Sequence, residues 1–257
     1  MDNAHPPRPA AVALVIPAYN EAQAIGDVIA RALALGHRVI VVDDGSTDAT
    51  WAAVAGHPVV ALRHPANRGK AAALLTGIAH ALAAGAERIV TLDADGQHRP
   101  EDVPRLLAVG ELVPAAIVTG SRRADGKRAP RARYWANRIA DFWISWAAGQ
   151  PIEDTQSGFR LYPASALRHL LGSIARSDGF AFESEILIEA GRAGIAIVPV
   201  PIAALYGGPI QRASHFRPLR DIPKIVVMVA RKLLAYGLFP AGLWRALSGR
   251  PLTPYRR

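Results

Sequence analysis

Arg88-Ile89-Val90-Thr91-Leu92-Asp93-Ala94-Asp95-Gly96-Gln97 is an apolar run that ends abruptly in two carboxylates one residue apart. Arg88 to Leu92 has the pattern of a buried strand, and a parallel strand ending there presents both acids at the carboxyl edge of its sheet. Alternate residues of an extended segment point the same way. Asp93 and Asp95 can therefore face one cation, with the Gln97 amide oxygen continuing the series. Magnesium or manganese bridging a diphosphate is the natural occupant. A solvated acidic turn is the competing reading of any Asp-x-Asp, and the position directly after a buried strand favours the metal.

Working outward, the chain ahead of this stretch alternates strand and helix. Val12 to Ile16 reads as a strand and Glu21 to Leu35 as a helix. Arg38 to Val42, Ser46 to Ala55, Val59 to Arg63 and Lys70 to Ala84 repeat the pattern. Beyond it, Ala115 to Gly120 is a further strand, and Arg122 to Arg138 is irregular and arginine-rich. Ala136 to Ala148 is a helix with Trp143 and Trp146 on its apolar side. Thr155 to Tyr162 is a loop entering a strand, Phe182 to Ala193 an acidic helix and Ile195 to Val200 a last strand. The fold class is α/β, a mostly parallel sheet flanked by helices in a single domain over residues 11–221, whose sites lie beyond the carboxyl ends of the strands. Residues 1–10 read as a flexible arm and residues 222–257 as a basic amphipathic tail.

The 257 residues, 51% of them hydrophobic, suffice for one good α/β core. A formal charge of +9 suits anionic partners: nucleotide phosphates, phospholipid headgroups or nucleic acid. The absence of cysteine excludes disulfides and thiolate metal sites, leaving oxygen or imidazole ligands and favouring a hard cation. Met1 to Ala10 lacks the apolar core of a secretory signal, which points to a cytoplasmic protein. Ile225 to Leu238 is broken by Arg231 and Lys232, too short and too charged to span a bilayer.

Two further motifs close strands. In Val41-Val42-Asp43-Asp44-Gly45-Ser46-Thr47-Asp48, Gly45 permits a tight turn and Ser46 or Thr47 can cap the next helix. Asp44 could accept from the N–H edge of a base, while Asp43 reads as structural. Pro17-Ala18-Tyr19-Asn20-Glu21 ends the first strand with an aromatic ring and an acid able to stack on and bond a base or ribose.

Taken in order, Pro-Ala-Tyr-Asn-Glu, Asp-Asp-Gly-Ser and Asp-Ala-Asp at three successive strand ends closely resemble the pattern of family 2 glycosyltransferases. Asn67-Arg68-Gly69-Lys70, Thr119-Gly120-Ser121-Arg122, Asp154-Thr155-Gln156-Ser157-Gly158-Phe159-Arg160 and Gly179-Phe180-Ala181-Phe182-Glu183 add to the match. The resemblance implies a glycosyltransferase A-type fold and a nucleotide-diphosphate sugar as donor, with Mg2+ or Mn2+ on its diphosphate. Pro17, Tyr19, Glu21, Val42 and Asp44 would then contact the nucleoside, Asp93, Asp95 and Gln97 the metal, and Arg122 donor phosphate or sugar, with Ala94 at the donor between the two acids. Asp-Ala-Asp-Gly-Gln-His followed by Gly-Ser-Arg and Ser-Gly-Phe-Arg looks most like the dolichyl- or polyprenyl-phosphate mannosyltransferase branch, which implies a lipid-phosphate acceptor and mannose or glucose as the sugar. Tyr206 to Phe216 resembles that branch's acceptor loop only loosely, with Arg212 and His215 as its phosphate ligands.

A lipid phosphate is already anionic and can attack the anomeric carbon in line, with inversion, without a protein base; a hydroxyl acceptor would need one, and Asp154 and Glu183 are the candidates. Each also has a structural reading: Asp154 could cap or pair with Arg160, and Glu183 could be a solvated first-turn acid. His98 is expected on the solvent side after the metal motif, with an accessory metal ligand as its alternative, and Lys70 exposed at its helix start, with contact to phosphate as its alternative. Ile222 to Leu247 mixes apolar, aromatic and basic residues, consistent either with lying at a membrane surface or with packing on the sheet. A nucleotidyltransferase is disfavoured because Pro17 to Glu21 is not a glycine-rich basic loop, and nucleic-acid binding because the strand ends are acidic.

Overall fold

Apolar residues on both faces of every central strand require helices above and below the sheet, and this is the arrangement adopted. The computed structural model describes residues 11–123, 131–174, 181–203, 218–235 and 237–249. Its strands are β1 (Val12–Ala18), β2 (Arg38–Asp43), β3 (Val60–Arg63), β4 (Arg88–Thr91), β5 (Ile117–Ser121), β6 (Arg160–Pro163) and β7 (Ile197–Pro201). They form one sheet in the order β3-β2-β1-β4-β6-β5-β7, in which β6 alone runs antiparallel to its neighbours.

Strand β1 alternates between the two layers. Ala13 and Val15 join one apolar cluster with α3 (Lys70–Ala83), while Leu14 and Ile16 join the other with α1 (Ile25–Leu33). The topological switch falls at β1, which pairs with β2 on one side and β4 on the other. In register, Pro17 lies beside Val42, Ala18 beside Asp43 and Val15 beside Thr91, so the three strands carrying the acidic and aromatic motifs end together. Such a switch opens the crevice in which open α/β sheets bind ligands.

The local structure departs from the sequence reading in several places. Helix α1 starts at Ile25, because Asn20 takes a left-handed conformation (φ 55°) and Ala24 and Ile25 donate to the Glu21 carbonyl in a preceding turn. Helix α2 (Thr50–Ala55) is not capped by Ser46 or Thr47. Ser46 Oγ accepts from Asn20 N–H at 2.9 Å, Thr47 N–H donates to Asn20 Oδ1 at 2.8 Å, and Asp48 Oδ1 accepts from Thr50 N–H at 2.9 Å. The side chains expected to start a helix instead lace the β1 and β2 loops together. Helix α4 (Val103–Leu112) follows a short 3-10 turn at Pro100–Asp102.

Helix α5 (Arg131–Ala148) begins inside the stretch read as irregular, and α6 (Ala164–Ile174), not anticipated from sequence, follows β6 directly. Ile144, Ala147 and Ala148 bury the inner face of α5, whereas Trp143 is 43% exposed, contrary to its expected place on the apolar side. The Trp143 ring stacks on Trp146 at 5.2 Å between centroids, and Trp146 Nε1 donates to the Leu238 carbonyl at 2.9 Å.

Helices α7 (Ala181–Arg192), α8 (Pro218–Ala235) and α9 (Pro240–Ser248) complete the chain, α8 packing on α5 and α7 and α9 on α5. Val229 and Leu233 of α8 are buried, and the Lys232 ammonium turns inward to Glu185, at 2.9 Å, and to Glu189. Lys232 therefore ties α8 to α7 rather than facing outward. Among the described residues no helix is long and apolar enough to cross a membrane.

Candidate active site

The loop after β4 delivers its acids as the alternation requires. Ala94 buries its methyl in the core with Ala18 and Leu92, while Asp93 and Asp95 stay half-buried at the sheet's edge. Asp95 Oδ1 accepts from Gln97 N–H at 3.0 Å, closing the turn. Ala94, expected among the donor contacts, thus turns its side chain away from the cleft.

Electrostatics separates the two acids. Burial alone would raise the Asp93 carboxyl, but the Lys70 ammonium, helped by His98 and Arg122, brings it down to about 2. Asp95 moves the other way, pushed up by burial and then by the negative charge on Asp93, against a smaller opposing contribution from the Gln97 N–H. A carboxylate disfavoured by its neighbour's charge is one that a bound cation would relieve, and two hard oxygen donors suit Mg2+ or Mn2+. Among the described residues no cluster of three acids or histidines forms a complete cage, so water and substrate oxygens would fill the remaining positions.

Lys70, read as exposed or as touching phosphate, reaches into this centre. Its Nζ lies 2.7 Å from Asp93 Oδ1 and 3.1 Å from Glu183 Oε2. Glu183, read as either a base or a solvated acid, is thereby tied to Asp93 across α3 and α7. Gly158 passes directly over the pair: a Cβ there would sit 2.8 Å from Asp93 Oδ1 and from Glu183 Oε1. The Gly158 carbonyl accepts from Thr91 Oγ1 at 2.7 Å, which anchors this close approach.

His98, expected on the solvent side, is 1% exposed, 5.5 Å from the Phe159 ring, with neither ring nitrogen hydrogen-bonded to any of the described residues. Burial, despite the nearby Asp93 charge, lowers its pKa to about 4, so it is neutral at physiological pH.

Across the cleft Arg122 is held by Asp154, with Nε 2.8 Å from Oδ2 and Nη2 2.7 Å from Oδ1, while the Arg122 N–H donates to Oδ2 at 2.9 Å. Burial would raise the Asp154 carboxyl, but its bonds to Arg122 outweigh this and hold it below the usual range. Asp154 does not pair with Arg160. The fully buried Arg160 instead donates to the carbonyls of Ser157, Thr155 and Glu183 at 2.8, 2.8 and 2.6 Å, bracing the loop that carries Asp154 and Gly158 against the start of α7.

At the ends of β1 and β2, Pro17 and Val42 are buried side by side and Tyr19 and Glu21 are half-buried. Asp44, read as a base contact, is 2% exposed and engaged by its own chain. It accepts from Arg68 N–H at 3.0 Å and Gly69 N–H at 2.7 Å, and His64 Nδ1 lies 2.6 Å away. Asp43 accepts from Ser46 N–H and pairs with Arg63 at 3.0 Å, the structural role expected of it. Arg212 and His215 lie outside the described residues, as do residues 1–10.

The structure thus gathers Asp93, Asp95, Arg122, Asp154 and Glu183 at one edge and adds Lys70, His98 and Gly158. Lys70 was signalled by Asn67-Arg68-Gly69-Lys70 and Gly158 by Ser157-Gly158-Phe159-Arg160, but neither motif states what its residue touches. A sheet whose switch point carries paired acids beside two anchored cations defines an α/β enzyme site for a charged substrate. The model of the glycosyl transferase family 2 matches residues 13–171, and the chain belongs to that family; it is a glycosyltransferase with a glycosyltransferase A-type fold.

Two relatives and one solved structure give the comparison its detail. The chain is 31% identical over 214 residues to the UDP-N-acetylglucosamine--dolichyl-phosphate N-acetylglucosaminyltransferase of Methanococcus voltae, covering 75% of this chain and 85% of that one. It is 32% identical over 201 residues to the undecaprenyl-phosphate mannosyltransferase of Micrococcus luteus, covering 74% and 82%. Glucosyl-3-phosphoglycerate synthase from Mycobacterium tuberculosis, solved with Mn2+, UDP and phosphoglyceric acid, superposes with a TM-score of 0.59 at 25% identity, covering 90% of this chain and 80% of that one.

Proposed function

We propose that this glycosyltransferase moves a hexose, mannose or glucose in the first instance, from a nucleotide-diphosphate sugar to the phosphate of a polyprenyl-type lipid, with inversion. The observation that carries the acceptor is the condition of the two carboxylates that could have served as bases. Asp154 is locked in a bidentate pair with Arg122, and Glu183 is bridged to Lys70. A hydroxyl acceptor needs a base to take its proton, whereas a phosphate monoester arrives as an anion. The relatives support the same acceptor: they differ in the sugar their names give and share a polyprenyl-type phosphate.

Asp93 and Asp95, with the Gln97 side chain, would hold Mg2+ or Mn2+. When bound, the ion neutralises charge on the departing nucleotide diphosphate. Arg122, its guanidinium plane set by Asp154, brings a fixed positive charge to the phosphate oxygens, and its charge also lowers Asp93. Pro17, Tyr19, Glu21 and Val42 form the wall for the nucleoside. Asp44 supports that wall from behind through the Arg68–Gly69 loop.

A lipid acceptor must be met at a membrane surface. Trp135, Ile139 and Trp143 recur at helical spacing on α5 as exposed side chains, and Leu234, Leu238, Trp244 and Leu247 are exposed near α8 and α9, with Arg231 and Arg245 among them. Aromatic, aliphatic and basic side chains together favour peripheral binding to anionic lipid, at the cytoplasmic face, where we place the enzyme.

The test is transfer by the purified protein from GDP-mannose, UDP-glucose and UDP-N-acetylglucosamine to a polyprenyl phosphate, with and without Mn2+, beside Asp95→Ala. Metal-dependent product lost by at least about a hundredfold in the variant is expected. Transfer to hydroxyl acceptors alone would replace the phosphate reading.

A further inference from the structure

The carboxylate that the cation would use already has a positive partner. The Lys70 ammonium bridges Asp93 Oδ1 at 2.7 Å and Glu183 Oε2 at 3.1 Å, joining acids from two different elements. Its position is imposed from three sides. Lys70 is the first residue of α3, whose backbone lies against β1 and β2. Gly158 covers the two carboxylates so closely that a single methyl there would collide with both. Arg160, braced against three carbonyls, keeps that cover in place.

We propose that Lys70 is the resident counter-ion of the centre: it holds Asp93 and Glu183 in the donor-free enzyme and must yield Asp93 before a divalent cation can bind well. The inference rests on the reading of Asp93 and Asp95 as the metal site. Two cations that share one carboxylate repel each other, so metal alone meets a site whose first ligand is occupied. The donor diphosphate brings negative charge enough to accompany both cations, so metal and nucleotide enter together. Lys70 is thus a positioning residue that couples the two ligands, and by linkage each must tighten the other by the same factor.

The measurement is Mn2+ binding, followed by the electron paramagnetic resonance of the free ion, with and without UDP or GDP. It uses the whole chain as wild type, Lys70→Met, Lys70→Gln, Lys70→Arg and Asp95→Ala, each checked for cooperative melting. In wild type, nucleotide should tighten Mn2+ by about tenfold or more, and Mn2+ should tighten nucleotide equally. In Lys70→Met and Lys70→Gln, Mn2+ alone should bind about tenfold more tightly than to wild type, with the nucleotide enhancement reduced, although transfer falls. Lys70→Arg should keep the wild-type weakness toward metal alone. If neither neutral variant binds nucleotide-free Mn2+ more tightly than wild type, the counter-ion role is wrong while the metal site stands. If wild type with nucleotide binds no Mn2+ beyond Asp95→Ala, the metal site falls and takes this inference with it.

Discussion

At the scale of single residues, the centre works by pairing each charge with a partner that restricts what it can do. Arg122 is presented by Asp154 through two side-chain hydrogen bonds and one to the backbone. Arg122→Lys keeps the charge but loses the planar fork, and should lower kcat/KM by at least about tenfold. Asp154→Asn should lower it comparably through Arg122, without moving the pH profile as loss of a general base would; steady-state rates across pH distinguish the two. A second pair lies just outside the cleft, where Arg31 Nε and Nη2 donate to both oxygens of Glu101 at 2.8 and 2.7 Å, tying α1 to the turn after the Asp93–Gln97 loop. That bond, opposed by some burial, lowers Glu101 from 4.5 to about 2. A depressed carboxyl adds stability above its unfolded value and loses it as pH falls through the folded one. The melting temperature of Glu101→Gln should therefore lie slightly below wild type above pH 4.5, the gap closing between 4.5 and 2; a constant gap would show that the pair acts through packing instead. The effect is small because both side chains are partly solvated.

At the scale of elements, placement of the site depends on how tightly α3 lies on the sheet. A Cβ on Gly77 would come within 2.4 Å of Val15 Cγ1 and 3.1 Å of Val42 Cγ2, so no larger residue fits without lifting the helix. Gly77→Ala should cost about 1–3 kcal/mol, seen as a melting temperature lower by several degrees, and should weaken transfer because Lys70 rides on the same helix. Element identity was largely legible from periodicity: β1 through β4 with α1 through α3 follow the predicted alternation. The misses have physical causes. The turns at Asn20 and Ser46 shorten α1 and α2 because their polar side chains bond across loops rather than cap. Helices α4 and α6 were missed, and α5 begins five residues before its expected start.

At the scale of the whole molecule, the exposed apolar surface of α5, α8 and α9 predicts how the enzyme meets its acceptor. A triple variant, Leu234→Ser, Trp244→Ser and Leu247→Ser, should float poorly with anionic liposomes yet retain transfer to a short, water-soluble polyprenyl phosphate. Equal loss with both acceptors would mean that this surface serves the fold rather than the membrane. Lys232, bound to Glu185 and Glu189, is expected to contribute to docking α8 and not to lipid affinity. What the sequence by itself determined is the strand–helix alternation from β1 to β4, the acidic strand ends and the family, because local periodicity and short motifs are written within a few consecutive residues. Only the tertiary structure decided that Asp154 belongs to Arg122, that Lys70 bridges Asp93 and Glu183, that His98 is buried and that Asp44 faces its own chain. Those pairings join residues 20 to 113 positions apart, and packing of helices on the sheet, which no local pattern encodes, selects among the many charges that could have met.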